Sequence, residues 1–169
     1  MSERWTLEKL PEHLAPAVEP QGLIRLAGLV DPPRTLTLAN LALMPQTTLT
    51  EDFDCEEGWT VTGQTWTGVL VGDIFGDVIA NDEGLWVEFA SGEFSFSAPM
   101  PVARGALVAV QLNGEPLSPM HGGPCRLYLP GEACYTSIKW LDRIEARRDP
   151  GPNNAAEIAK RRLRGPASP

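Results

Sequence analysis

The sequence predicts a strand-rich α+β domain, on three observations. Sixteen prolines and sixteen glycines in 169 residues cut the chain into short pieces, which suits strands and turns better than a helical bundle. Short apolar runs rich in Val, Leu and Ile recur from Leu23 to Glu145, with the composition expected of half-buried strands. The turn pairs Ser91-Gly92, Asn113-Gly114 and Pro130-Gly131 bound several of these runs.

Taken in order, residues 6–15 are expected to form a short leading helix. Leu23 to Val30 reads as a strand closed by the turn Asp31-Pro32-Pro33-Arg34. Thr35 to Leu38 continues extended, and Thr37 is placed to cap a helix that runs through Leu43 and stops at Pro45. Thr48 to Asp54 alternates and leads as a strand into Cys55. Trp59 to Gly68 is assigned to a loop. Val69 to Ala80 carries apolar residues at helical spacing, interrupted by Gly72 and Gly76. Leu85–Ala90 and Glu93–Ser97 pair as a hairpin through Ser91-Gly92. Leu107–Leu112 and Arg126–Leu129 are further strands, and Ile138–Glu145 is the last strand of the core. Beyond Asp149 the composition is that of a loop, then of a short exposed helix near 155–163.

The resulting organisation is a lead segment (1–19), one domain (20–146) and a basic, partly disordered tail (147–169). The net charge of −8 conceals an asymmetry, because the first 146 residues carry 8 basic and 20 acidic groups while the tail carries six basic ones. A body this acidic repels phosphate backbones, so no nucleic-acid partner is expected. No run approaches the roughly 18 apolar residues of a membrane span. No basic region precedes an apolar run at the N-terminus, and the expected location is cytoplasmic. Three cysteines without a Cys-x-x-Cys pair, and two distant histidines (His13 and His121), support neither a disulfide framework nor a Cys/His zinc site.

Two segments carry chemistry. The first is Asp54-Cys55-Glu56-Glu57-Gly58-Trp59, followed by Trp66-Thr67-Gly68. A thiolate at a strand end, before a turn-permitting glycine, could bind a soft metal or act as a nucleophile. It could equally be a buried small hydrophobe, and spacing alone leaves these readings open. The second runs from Asn113 through His121-Gly122-Gly123-Pro124-Cys125-Arg126 to Ser137-Ile138-Lys139-Trp140. Between residues 35 and 138 the only cations are Arg104 and Arg126. Arg126 and Lys139, beside Gly- and Pro-rich turns, could answer a buried anion or pair with carboxylates. Backbone N–H groups at Gly122-Gly123 and Ser137-Ile138 could add donors to an anion.

Together these motifs, over residues 20 to 146, closely resemble the molybdopterin-binding domain of the sulfite-oxidase family. They are C-x-x-G-W at Cys55, W-x-G at Trp66, N-G-E-P-L-x-P-x-H-G-G-P-x-R-L-x-x-P-G from Asn113, and S-I-K-W-L-x-R-I-E from Ser137. The resemblance implies a mixed α+β fold holding one molybdenum–molybdopterin cofactor. The pterin dithiolene supplies two sulfurs to the metal and one protein cysteine a third. That cysteine matches Cys55, which is thus the implied metal ligand and catalytic residue. His121 matches a His or Asn set against the cofactor, and Arg126 the phosphate-binding arginine. Ser137, Ile138 and Lys139 match the loop around the pterin and its phosphate, and Ser91 a hydroxyl on the pocket wall. Cys125, Cys134, Trp59, Trp66 and Trp140 are given structural roles.

Family chemistry is two-electron oxygen-atom transfer on a small-molecule substrate, with the cofactor performing the redox step. Sulfite-oxidising members use a tyrosine in a loop resembling Glu93 to Pro99, where this chain has Phe94. They also have an arginine-rich substrate segment and a dimerisation domain, neither evident here. The resemblance therefore favours no sulfite specificity and leaves sulfoxide and N-oxide reduction open. No haem, flavin or iron–sulfur motif is present, so a separate electron-transfer protein is implied. A non-catalytic cofactor carrier is the alternative reading, and the oligomeric state is left open.

Overall fold

The computed structural model describes residues 4–12, 14, 16, 20–80 and 82–164. The longest element within them is the strand β5 (Trp59–Leu70), where a loop was expected over 59–68. Its threonines are the polar half of a period-two pattern. Thr65 and Thr67 share hydroxyl hydrogen bonds of 3.0 Å with Thr50 and Thr48 across the strand pair, while Trp66 on the opposite face is fully buried. Its partner β4 (Thr47–Asp54) is antiparallel, with a bulge between Glu51 and Phe53.

The first sheet has the order β1-β5-β8-β10, with β4 also on β5 and β9 on β8. Here β1 is Trp5–Thr6, β8 Leu107–Leu112, β9 Glu115–Pro116 and β10 Arg126–Tyr128. The leading helix expected over 6–15 does not form at its start, since Trp5 and Thr6 instead pair parallel with Trp59 and Thr60. His13 and Ala15 lie outside the described residues. The helix expected from Val69 shrinks to α2 (Val71–Phe75), because Val69 and Leu70 extend β5 against β8. Gly76 at φ +56° then ends it.

The second sheet has the order β3-β2-β11-β6-β7, with β2 Ile24–Gly28, β3 Arg34–Leu36, β6 Trp86–Ser91, β7 Phe94–Pro99 and β11 Arg143–Arg147. The expected hairpin is β6–β7, turning at Ser91-Gly92. The last strand begins at Arg143 rather than Ile138. Ile138 and Leu141 bond instead to Leu127 and Cys125 through the backbone, which holds that segment beside β10. The helix capped by Thr37 is α1 (Leu38–Ala42), with a reciprocal Thr37–Asn40 capping box. A short α3 (Met100–Ala103) follows β7. The tail helix is α4 (Ala155–Leu163). Asn154 before it bonds the backbone of Ser95 and Glu93, and Ala155 is fully buried.

Side-chain alternation divides the interior in two. Val69, Val108 and Leu127 face the second sheet and join Ile24, Phe89 and Ile144 in the larger core. Leu107, Ala109 and Tyr128 point to the other face, where they pack with Phe53, Cys55 and Trp66. Arg126, two residues before Tyr128 on β10, belongs to that second face. The fold thus gathers thiol, aromatics and a cation on the face of the first sheet turned away from the second.

Candidate active site

Cys55 follows the last residue of β4, in a tight turn. Its N–H donates to the Trp59 carbonyl and its carbonyl accepts from Gly58 N–H, both at 2.9 Å. Arg4 reaches across from beside β1 and donates to the Cys55 carbonyl at 2.7 Å. The turn is therefore anchored from both sides, and the Cys55 side chain is buried among Phe53, Trp59 and Trp66.

Arg126 lies against the same aromatics. Its guanidinium sits 5.4 Å from the Phe53 ring centre and 5.2 Å from that of Trp66, cation–π distances. Nε donates to the Ser137 carbonyl at 3.2 Å and Nη1 to the His121 carbonyl at 3.0 Å. It is only 6% exposed. Among the described residues no ion pair includes it. Burial pulls its pKa down to about 10, opposed by the nearby Cys134 and Cys55 sulfurs, so it stays charged at neutral pH. Among the described residues this buried cation has carbonyl and cysteine-sulfur neighbours but no carboxylate, and its remaining N–H donors suit an added anion.

The thiol has an unexpected neighbour. Cys55 Sγ lies 3.0 Å from Cys134 Sγ, and Cys134 opens a short 3-10 turn ending at Thr136. The two sulfurs are within hydrogen-bonding distance of each other. This sulfur–sulfur contact, in which either thiol can donate, holds Cys134 down to about 7 and, with burial, pushes Cys55 well up. The resemblance gives Cys134 a structural role, because it falls where family members need no thiol, yet the fold brings it to Cys55 across 79 residues. Cys125 is a core thiol, raised to about 12 by burial.

The remaining predicted residues divide. Ser137 and His121 meet Arg126 through their carbonyls. The His121 ring is engaged on both nitrogens, by Ser118 Oγ and by the Leu10 carbonyl, each at 3.2 Å. It borders a cleft of about 420 Å³ with Lys9, Gln64 and Asn113. Lys139 Nζ donates to the Met120 carbonyl at 3.3 Å, and burial together with Arg126 lowers it to about 7. Ile138 is buried in the larger core, so its side chain faces away from the thiol. Ser91 lies in the second sheet, in a hollow of about 290 Å³ with Trp140 and Asp142. The backbone donors expected for an anion are already engaged. Gly122, Gly123, Ser137 and Ile138 N–H groups donate to Pro119, Ser118, Cys134 and Thr136 carbonyls at 2.8–3.1 Å. The Arg126 guanidinium, with two of its five N–H donors on carbonyls, is thus the foremost anion-seeking group here.

Two glycines make these loops fit. Gly122 has φ +96°, and a Cβ there would lie 2.6 Å from Lys139 Cγ; at Gly123 it would lie 2.0 Å from the Leu117 carbonyl oxygen. The Gly-Gly step lets the His121 loop lie directly on the Lys139 loop.

The thiol, the buried cation without a carboxylate and the half-buried lysine fit a soft metal carried by an anionic, phosphate-bearing cofactor. Comparisons with known proteins agree. The family described as "Oxidoreductase molybdopterin binding domain" matches residues 16–155. The chain is 30% identical over 133 residues to the uncharacterized oxidoreductase YuiH of Bacillus subtilis, covering 76% of this chain and 67% of that protein. It is 26% identical over 159 residues to a sulfite oxidase of Arabidopsis thaliana, covering 72% and 40% respectively. It is 35% identical over 98 residues to an NADPH nitrate reductase of Fusarium oxysporum, covering 52% and 11%. The chain therefore spans less than half of each of these two enzymes. The sulfane dehydrogenase SoxCD of Paracoccus pantotrophus shares the fold, with a TM-score of 0.71 at 23% identity over 83% of this chain and 42% of that one. No helix among the described residues is long and apolar enough to cross a membrane. On these grounds the chain belongs to the family of oxidoreductase molybdopterin-binding domains, enzymes built on the molybdenum–molybdopterin cofactor.

Proposed function

We propose that the chain catalyses two-electron oxygen-atom transfer on a small substrate, with Cys55 as the protein thiolate on molybdenum. The observation that carries this reading is the Cys55 thiol in one buried aromatic cluster with Arg126, a cation without a carboxylate partner among the described residues. The bound cofactor would supply the two-electron redox chemistry and the exchangeable oxygen.

The chain's own groups then have definite tasks. Cys55 gives up its proton on ligation, and its thiolate can then only accept from Cys134. Arg126, fixed by two carbonyls, offers its remaining N–H donors to the cofactor's phosphate. Lys139 adds a second positive charge beside it. Ser137 and Ile138 shape the loop through their backbone, and His121 holds the facing loop through Ser118 and Leu10. Phe53, Trp59 and Trp66 keep water from the thiol. Ser91 is a candidate for an outlying pterin contact. Electrons pass to or from a separate electron-transfer protein.

The test is elemental analysis of the full chain from a molybdenum-sufficient, cofactor-competent host, followed by dye-linked assays with sulfite, sulfoxides and N-oxides. One molybdenum per chain and turnover of an oxo-transfer substrate are expected. A metal-free protein would sink the proposal, and a loaded protein inert toward all three classes would indicate a carrier.

A further inference from the structure

We propose that Cys55 and Cys134 are a redox-active pair, closing into a disulfide in the cofactor-free chain and returning to two thiols before the cofactor can be bound. The gating half of this inference rests on the reading of Cys55 as the molybdenum ligand, whereas the disulfide itself rests on geometry alone. The sulfurs are 3.0 Å apart, so about 1 Å of further approach reaches the ~2.05 Å of a disulfide bond. Neither cysteine lies inside a strand. Cys55 is in the turn after β4, and Cys134 opens a three-residue 3-10 turn, where a small adjustment disturbs no sheet ladder. Glu56 N–H points at Cys134 Sγ at 3.5 Å, which ties the two turns together. Cys134 is the half-buried partner and Cys55 the buried one, so a reagent from solvent meets Cys134 first. Cys125 is buried in the larger core, apart from both.

A small-molecule disulfide such as oxidised glutathione is a sufficient oxidant. Cys134 sulfur attacks one glutathione sulfur, the glutathione S–S bond breaks, and one glutathione leaves as a thiol with the proton Cys134 gave up. Cys55 sulfur then attacks Cys134 sulfur, the mixed bond breaks, and the second glutathione leaves with the Cys55 proton. Two electrons pass from the two cysteines to one oxidised glutathione, which becomes two thiols. A chain so closed has no sulfur at position 55 to offer a metal, because a ligating thiolate and a disulfide sulfur exclude each other.

The experiment uses the full chain made in a host that cannot synthesise the pterin cofactor. The protein is incubated with oxidised glutathione, then alkylated in denaturant and mapped by mass spectrometry. Alkylated thiols should fall from three to one, the survivor being Cys125, with a linked Cys55–Cys134 peptide. Three alkylated thiols, or a lasting glutathione adduct on Cys134 beside a free Cys55, would overturn the disulfide. Isolated molybdenum cofactor is then offered, with molybdenum per chain as the readout. Oxidised wild type should load at least about tenfold more slowly than dithiothreitol-treated wild type, and Cys134→Ser should load equally with and without dithiothreitol. Equal loading of oxidised and reduced wild type would overturn the gating. If Cys55→Ser retained molybdenum as wild type does, the ligand assignment would fail and the gating with it, while the mapped disulfide would stand.

Discussion

Replacing Arg126 by methionine separates a cofactor-binding role from a packing role, because the two predict different signs. In the cofactor-free protein the guanidinium is a buried charge whose pKa falls from 12.5 to about 10, and that shift corresponds to about 3 kcal/mol of burial cost. Against this stand two hydrogen bonds to the Ser137 and His121 carbonyls, each costing about 1–3 kcal/mol if its acceptor is left unpaired. Methionine keeps the contact with Phe53 and Trp66 and removes the charge. The terms nearly cancel, so the midpoint of urea denaturation of cofactor-free Arg126→Met should change by no more than the equivalent of about 1–2 kcal/mol. Cofactor retention should behave otherwise. Two of the five N–H donors are engaged with carbonyls, and one charge-assisted bond to phosphate is worth about 1.5–3 kcal/mol. Molybdenum retained after dialysis should thus correspond to affinity lower by roughly 10- to 150-fold. A variant that keeps its molybdenum but unfolds in far less urea would refute the reasoning, since Arg126 would then be holding loops rather than an anion.

Other perturbations read the scaffold. Glu88 is 1% exposed and carries both Arg143 and Arg147, at 2.5 and 3.2 Å; Glu88→Ala should cost about 3 kcal/mol and lower the thermal midpoint by about 6–12 °C, and a loss below about 1 kcal/mol would contradict the network's role. Gly68→Ala puts a Cβ 1.9 Å from the Val108 carbonyl oxygen, whereas at Gly63 the space is open and only the φ of +60° is adverse. Denaturation should show about 3 kcal/mol lost for the first and about 1 kcal/mol for the second, and equal losses would be wrong for this packing. Lys139 has its pKa depressed from 10.5 to about 7 by burial and Arg126, so the unfolded chain binds more protons between those values. Stability of the cofactor-free protein from this group should therefore rise as pH climbs from 7 to 10, while cofactor retention falls over the same window as the charge is lost. Lys139→Met should abolish both dependences, and an unchanged pH profile in that variant would exclude Lys139 as their source.

Much of the second sheet was legible because its strands carry their own signals. Leu85 to Ser97 shows two apolar runs about a Ser-Gly turn, and it forms β6 and β7 with that turn. Thr37 announces a helix cap, and α1 begins there, with Asn40 completing a capping box. The first sheet was harder. Trp59 to Gly68 is rich in threonine and glycine, and only its pairing with β4 and β8 reveals which face is buried. Ile138 to Asp142 carries a strand-like pattern, yet its backbone serves Leu127 and Cys125 beside β10 instead of entering the second sheet.

The site divides in the same way. Ordered motifs singled out Cys55, Arg126, Ser137 and Lys139, and the fold brings Cys55 and Arg126 into one aromatic cluster. Cys134 was invisible to motif reading, because what matters about it is a contact across 79 residues that only the tertiary fold creates. The glycine and Ser137-Ile138 N–H groups illustrate the converse. Their sequence suits an anion nest, but local turns had already taken those donors.

The most direct measurement of the central claim is molybdenum X-ray absorption on the loaded full chain beside its Cys55→Ser variant. Two sulfurs from a dithiolene and one from Cys55 predict three sulfur neighbours in the wild type. The variant, if it retains metal at all, should show two. An unchanged sulfur count and full molybdenum occupancy in Cys55→Ser would contradict the assignment of Cys55.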